Sequence, residues 1–425
     1  MALGSERAGP AARPTAGTDA SSALPRWLSI LGIGEDGPDG LSPAARRLIG
    51  EARLVAGGAR HLALAAPLIT GETLAWPSPM TDGIPPILAR RGTPVAVLAS
   101  GDPFWYGVGA TLMRHVAVGE TVTVPAASAY QLAAGRLGWP LQSVRTLSVH
   151  GRPHEAIVPH LQPGARLLIL SWDATSPGRI ARLLDERGFG RSRLTVLEAL
   201  GGPRERIRST DAASFDLDAI APLNTIGLEI VAAPGARVIP LSCGLDDALF
   251  ETDGVMTKRE IRALTLSALG PCEGELLWDV GAGSGSVAIE WLLRHPTMRA
   301  VAIEPRADRA GLIARNAVAL GVPDLKILEG AAPAALQDLA TPDAVFVGGG
   351  LTVPALVETC LEALRPGGRL LANAVTTGSE AVLLALHARL GGDLLRISVA
   401  RAEPVGTMTG WRPAMPVTQL RLVKP

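Results

Sequence analysis

Short apolar runs alternate along the chain with longer stretches in which apolar residues recur every three or four positions. That alternation predicts buried strands separated by helices that cover a sheet. Trp27-Leu28-Ser29-Ile30-Leu31 runs as a strand into a glycine loop, and Ser42 before Pro43 marks a helix start by cap and first-turn proline. Further strands are predicted at residues 54–58, 94–99 and 122–124, and at 167–173 with a polar end, with Ser128 capping one helix and Ser176-Pro177 opening another through Ile180 and Leu184. After residue 240 a second series begins. Strands are predicted at residues 276–280, 300–303, 325–328 and 343–347, then after the Pro366-Gly367 turn, near 395–399 and at 417–423. Thr257, followed three residues later by Glu260, predicts a capping box, and residues 308–320 a long helix. The pattern is that of an α/β protein.

At 425 residues the chain is long enough for two or three domains. The punctuation from Pro234-Gly235 to Pro240 divides it into 26–240 and 241–425. Residues 1–25 are rich in Ala, Gly, Pro, Ser and Thr without an apolar signal-peptide core, and are expected to be a disordered tail. Apolar residues make up 47% and charged residues 19%, which describes a well-cored globular protein. The formal net charge is zero and the pI about 7.1, so no broad electrostatic footprint for nucleic acid is present. No apolar run reaches the roughly eighteen residues of a membrane span. Cys243, Cys272 and Cys360 are widely separated and lack Cys-x-x-Cys spacing, which argues against a disulfide framework or zinc site and fits a reducing cytoplasm. The histidines, among them His61, His150 and His154, give no metal-ligand spacing, so no metal is expected.

The chemistry concentrates at Asp279-Val280-Gly281-Ala282-Gly283-Ser284-Gly285. Glycine at alternate positions lets the backbone turn tightly and lets a ligand approach it closely. The helix start that follows offers free N–H groups to an anionic group. A dinucleotide fingerprint would place its third glycine one residue later than Gly285. Glu304 ends the next apolar run 19 residues on, where a carboxylate can accept both hydroxyls of a ribose. This Asp-x-Gly-x-Gly-x-Gly loop with its downstream acid resembles the S-adenosylmethionine loop of class I methyltransferases. The resemblance implies that Gly330, Ala331 and Ala332 leave room for adenine after the third strand, and that Thr257 lies in a turn closing over the cofactor. After the fourth strand comes Gly348-Gly349-Gly350, where methyltransferases acting on base amino groups carry an Asn/Asp-Pro-Pro-aromatic turn. A bare glycine loop fits a large flat substrate methylated at carbon.

The first half carries a different set of motifs. Gly32 and Gly34 follow the first strand, and Gly101-Asp102-Pro103 with Tyr106-Gly107 follows the strand at 94–99. The turn Pro125–Ser128, the loop Leu170-Ser171-Trp172-Asp173, Leu197-Glu198 before Gly201-Gly202, and Pro222-Leu223-Asn224-Thr225-Ile226 complete the pattern. Together they resemble the tetrapyrrole methylase family, which folds as two α/β subdomains with S-adenosylmethionine between them. The resemblance covers residues 25–238 and implies cofactor roles for Gly32, Gly34, Gly101, Asp102, Pro103, Tyr106, Ser128 and Trp172.

A tetrapyrrole methylase followed by a Rossmann-like class I methyltransferase, ending in Gly410-Trp411-Arg412-Pro413, resembles the decarboxylating precorrin methyltransferases of cobalamin biosynthesis. The resemblance implies one S-adenosylmethionine site per domain and a precorrin macrocycle as substrate. It assigns C5 methylation to the first domain, and C15 methylation with loss of CO₂ from the C12 acetate to the second. Arg259, Arg262, Arg401 and Arg412 are candidates to hold the macrocycle's carboxylates, and Gly348, Gly349 and Arg412 to line its site. The expected partners are the macrocycle and further copies of the chain in a homo-oligomer, with neither nucleic acid nor membrane, and no catalytic acid or base is identified. Two other readings remain open at this point: a class I methyltransferase on RNA or a small metabolite with an accessory first module, and a nicotinamide-dependent oxidoreductase or sensor.

Overall fold

The structure, a computed structural model, describes residues 26–425; the expected disordered tail at 1–25 lies outside the described residues. Among the described residues two compact units form, 26–138 with Ala199–Arg206, and Trp139–Glu198 with Ile207–Pro425.

The first unit is built on β1 (Leu28–Ile33), β2 (Leu54–Gly57), β3 (Glu72–Ala75), β4 (Val95–Ser100) and β5 (Thr121–Val124), in the order β3-β2-β4-β1-β5. All its pairings are parallel, so every strand ends on the same edge. β1, β2 and all but the last residue of β4 are buried without alternation, because helices cover both faces. Ser42 caps the helix Pro43–Glu51 by accepting from the Ala45 N–H, and Ser128 caps Ala129–Leu137 in a full capping box with Gln131, as expected.

The second unit contains two large sheets and a two-stranded hairpin. One comprises β6 (Val144–Ser148), β7 (Arg166–Leu170), β8 (Arg193–Glu198), β9 (Arg206–Asp211) and β10 (Asn224–Glu229), ordered β6-β7-β10-β8-β9, with β10 antiparallel to both neighbours. The other is seven-stranded: β11 (Leu276–Val280), β12 (Arg299–Glu304), β13 (Lys326–Glu329), β14 (Ala344–Val347), β15 (Arg369–Ala374), β16 (Asp393–Ile397) and β19 (Val417–Val423). Its order is β13-β12-β11-β14-β15-β19-β16, parallel except for β19, which runs antiparallel to both β15 and β16. The order reverses beside β11, so the β11 loop sits at a switch point, where ligands bind in open α/β sheets. β17 (Ala400–Val405) and β18 (Met408–Pro413) form a separate hairpin that the periodicity did not predict.

The core under the seven-stranded sheet does not stop at the domain limit suggested by sequence. Val158, from the part resembling a tetrapyrrole methylase, and Ile239, just short of the limit at 240, are buried in one cluster with Leu266, Leu277, Trp291 and Ile313. One local expectation is overturned. The helix over Arg259–Leu269 has Lys258 at its N-cap and no side-chain capping bond, so Thr257 and Glu260 form no capping box. The Thr257 carbonyl instead accepts from Arg262 Nη1 (2.6 Å), which holds Thr257 before the helix start.

Candidate functional site

In the glycine loop after β11, the N–H groups of Gly281 and Ala282 both bond the carbonyl of Ile303 at the end of β12 (2.9 and 3.2 Å). Gly281 has φ +70°, and a Cβ there would lie 2.9 Å from the backbone N of Gly349. Gly285 has φ +75°, and its Cβ would meet Ile313 Cγ2 at 2.7 Å. Two of the three glycines are thus demanded by the protein's own packing. Gly283 differs: a Cβ would find only the Val255 carbonyl, at 3.6 Å, so its face is the open one.

Two buried carboxylates stand behind the loop. Glu304 Oε2 accepts the Gly283 N–H (2.8 Å) and its Oε1 the Arg306 N–H (3.3 Å). Asp279 Oδ2 accepts the Ala288 N–H (2.9 Å), while Oδ1 is buried with no partner among the described residues. Burial pushes the Asp279 carboxyl up to about 7; the Ala288 bond opposes the rise and the Glu304 charge adds to it. Ser284 Oγ is likewise buried and unpaired. A buried acceptor without a donor costs free energy unless something supplies one. The unpaired Asp279 oxygen and the open Gly283 face therefore fit a ligand with a cationic amino group, as in the methionine part of S-adenosylmethionine.

The structure brings most residues expected at this site together. Gly330 donates to the Glu304 carbonyl (3.1 Å), placing Gly330, Ala331 and Ala332 beside the acid. Gly348 donates to the Val280 carbonyl (2.9 Å), so the loop Gly348, Gly349, Gly350 lies against Gly281. Asn316 joins the floor to the strap before Thr257: its Nδ2 donates to the carbonyls of Ser284 and Glu251 (2.9 Å each), and its Oδ1 accepts the Glu251 N–H (2.8 Å). Sequence reading missed Asn316; the only hint was a polar residue on the apolar face of its helix.

The arginines divide. Arg262, a sequence candidate for substrate carboxylates, is fully buried and ion-paired to Glu290 and Asp247, with further bonds to the carbonyls of Leu245 and Thr257. Those partners occupy its guanidinium, so it is structural. Arg401 pairs with Glu260, and Arg412, exposed on β18, pairs with Glu403 (3.0 Å).

In the first unit the strand ends close on each other through backbone. A Cβ on Gly32 would lie 1.9 Å from the Gly101 carbonyl oxygen, and one on Gly101 (φ +57°) 2.6 Å from Ser128 Cα. Asp102 Oδ1 accepts the Phe104 N–H (2.8 Å), shaping the Gly101-Asp102-Pro103 turn. Trp105 and Tyr106 both pack near the buried Tyr130 ring, at centroid distances of 5.3 and 6.2 Å, and both remain partly exposed. A polar group missed by sequence reading lies at the ends of β2 and β4: Ser100 Oγ is 2.8 Å from both Arg60 Nη2 and His61 Nε2. Burial and the Arg60 charge push His61 down to about 4, so it is neutral at pH 7. Its signal was Arg60-His61 one residue after a strand and two glycines. Trp172, described with the second unit, is half exposed in the loop after β7, where Asp173 accepts the N–H groups of Thr175 and Ser176.

Among the described residues no cluster of His, Cys, Asp and Glu could hold a metal ion, and no helix is long and apolar enough to cross a membrane.

Comparison with known proteins yields two family matches, Tetrapyrrole (Corrin/Porphyrin) Methylases over residues 28–216 and Precorrin methyltransferase domain over residues 248–424. The chain is 59% identical over 393 residues to precorrin-6Y C(5,15)-methyltransferase [decarboxylating] of Sinorhizobium sp, covering 92% of this chain and 95% of that one. It is 32% identical over 204 residues to cobalt-precorrin-7 C(5)-methyltransferase of Salmonella typhimurium, covering 46% of this chain and 98% of the relative. A second protein of the same organism, cobalt-precorrin-6B C(15)-methyltransferase (decarboxylating), is 35% identical over 166 residues, covering 38% of this chain and 85% of the relative.

Proposed function

The chain belongs to the precorrin-6Y C5,15-methyltransferase (decarboxylating) family, and from that premise we propose how its two halves divide the reaction. The enzyme methylates C5 and C15 of a precorrin with decarboxylation; in the proposed reaction the CO₂ comes from the acetate on C12, and precorrin-6Y becomes precorrin-8X in cobalamin biosynthesis. In the proposed division, residues 26–240 methylate C5, and residues 241–425 methylate C15 and release CO₂. Support comes from the two Salmonella relatives, one named for each activity and each matching less than half of this chain. S-adenosylmethionine, one molecule per half, is the proposed methyl donor. A cytoplasmic, self-associating enzyme completes the proposal.

The observation that carries the second site is the glycine loop held between Gly349 and Ile313, with the free Asp279 oxygen behind it. When bound, S-adenosylmethionine supplies an electrophilic methyl group on a sulfonium. Asp279 orients the amino group. Glu304 keeps the loop N–H of Gly283 with one oxygen and has lone pairs left for ribose hydroxyls. Gly330, Ala331 and Ala332 leave space for the adenine. The Gly348–Gly350 loop brings no acceptor side chain, which suits a carbon nucleophile whose electrons come from the macrocycle's own π system. Such a transfer depends on alignment and exclusion of water more than on a strong base. The electron pair left by CO₂ delocalises into the conjugated ring and then takes a proton from water to leave a methyl group on C12, so the proposal needs no metal.

Calorimetric titration with S-adenosylhomocysteine tests the reading of both sites. Two molecules should bind per wild-type chain and one per Gly285→Val chain. Binding of NAD with none of S-adenosylhomocysteine would overturn it.

A further inference from the structure

The helix Ala307–Ala319 touches both the second cofactor loop and the part of the chain assigned to C5 methylation. Near its start, Arg306 donates its N–H to Glu304 (3.3 Å). Along its length Ile313 packs under Gly285, Asn316 holds the Ser284 carbonyl, and Arg309 and Arg315 pair with Asp253 and Glu251 of the strap (2.8 Å each). Floor and strap of the site thus hang on one helix.

Its far end is held by the other half of the chain. Arg187, 7% exposed, donates from Nη1 to the Ala319 carbonyl (3.0 Å). A guanidinium there satisfies a terminal carbonyl and faces the negative end of the helix dipole. Beside it Gly321 (φ +79°) is pressed so closely onto the segment His154–His160 that a Cβ would lie 2.3 Å from Pro159 Cδ and 2.8 Å from the Glu155 carbonyl oxygen. Arg187 itself ends the helix Ser176–Glu186, which begins at the Trp172-Asp173 loop. Two helices therefore run from a loop of the first half to the cofactor loop of the second, joined at the Arg187–Ala319 bond. A buried arginine is costly when its Nε has no partner among the described residues. A methionine would fill the same space at lower cost and could not grip the carbonyl.

We propose that Arg187 is a positioning residue through which the C5-methylating half sets the cofactor affinity of the C15-methylating half, by fixing the end of the helix that carries Ile313 and Asn316. The inference rests on the reading that both halves bind the methyl donor. It makes the linked chain more than two tethered enzymes, since the second loop is tuned by a residue of the first half.

The test is calorimetric titration of the full-length chain with S-adenosylhomocysteine, the binding event that Gly285→Val removes being the one followed. In Arg187→Met that event should weaken five- to tenfold while the other keeps its affinity. Arg187→Lys, which can still donate to the Ala319 carbonyl, should return it to within about twofold of wild type. Pro159→Ala, which loosens the grip on Gly321 without removing a charge, should weaken the same event and carries the test if Arg187→Met does not fold. Unchanged affinity at the followed site in these variants, or equal loss at both sites, would overturn the proposal. If Gly285→Val leaves the titration as in wild type, the reading of the loop fails, and the inference fails with it.

Discussion

Asp279 shows what a single residue contributes. Its carboxyl titrates near 7 in the folded chain against an ordinary 3.8, because burial disfavours the charge. The folded state therefore binds this proton more tightly than the unfolded state. The residue's effect on stability is neutral below about pH 4 and becomes unfavourable as the pH rises towards 7. Asp279→Asn should accordingly stabilise the ligand-free protein by roughly 1–3 kcal/mol at pH 8, with the gain vanishing near pH 4; denaturant unfolding at the two pH values checks it. A cationic amino group on Oδ1 favours the ionised form, so S-adenosylhomocysteine affinity at the second site should rise between pH 6 and pH 8, and in Asp279→Asn should be weaker and flat with pH. These residues were legible in the sequence because their chemistry is local. Aspartate, three alternating glycines and an acid 19 residues on are read in one pass. Nothing local announced that Asp279 would keep an unpaired oxygen, which depends on burial by distant chain.

At the scale of elements, the strands of the seven-stranded sheet were legible because parallel strands buried on both faces read as unbroken apolar runs. β3, β9 and the β17–β18 hairpin were not, since they are largely exposed and carry no apolar run. Thr257 shows the limit of a local rule. Its spacing to Glu260 suits a capping box, yet Arg262 draws the Thr257 carbonyl in and the helix starts after Lys258. The competing partner, Glu290, lies 28 residues further along and is itself fully buried. Arg262→Met should destabilise the protein by about 3–5 kcal/mol, because it strands the Glu290 charge, and Arg262→Met with Glu290→Leu should recover part of the loss. Thermal and denaturant melts of the single and double variants measure this. Ser128→Ala, which removes an observed capping box in the first unit, should cost about 1 kcal/mol in the same melts.

For the whole molecule, the order of the two halves was legible from two unlike sets of loop motifs. Their packing was not: the burial of Val158 and Ile239 with Trp291, and the grip of Arg187 on Ala319, join residues far apart in sequence that carry no motif. In the proposed division of labour the chain holds two separate methyl-donor sites and CO₂ leaves at the second. The most direct test is incubation of full-length variants with precorrin-6Y and methyl-labelled S-adenosylmethionine, counting both methyl groups and CO₂ per macrocycle. Wild type should incorporate two methyls and release one CO₂. Gly285→Val, whose Cβ would strike Ile313, should release no CO₂ and add no methyl at C15. Continued CO₂ release from folded Gly285→Val, at the wild-type rate, would contradict that division of labour.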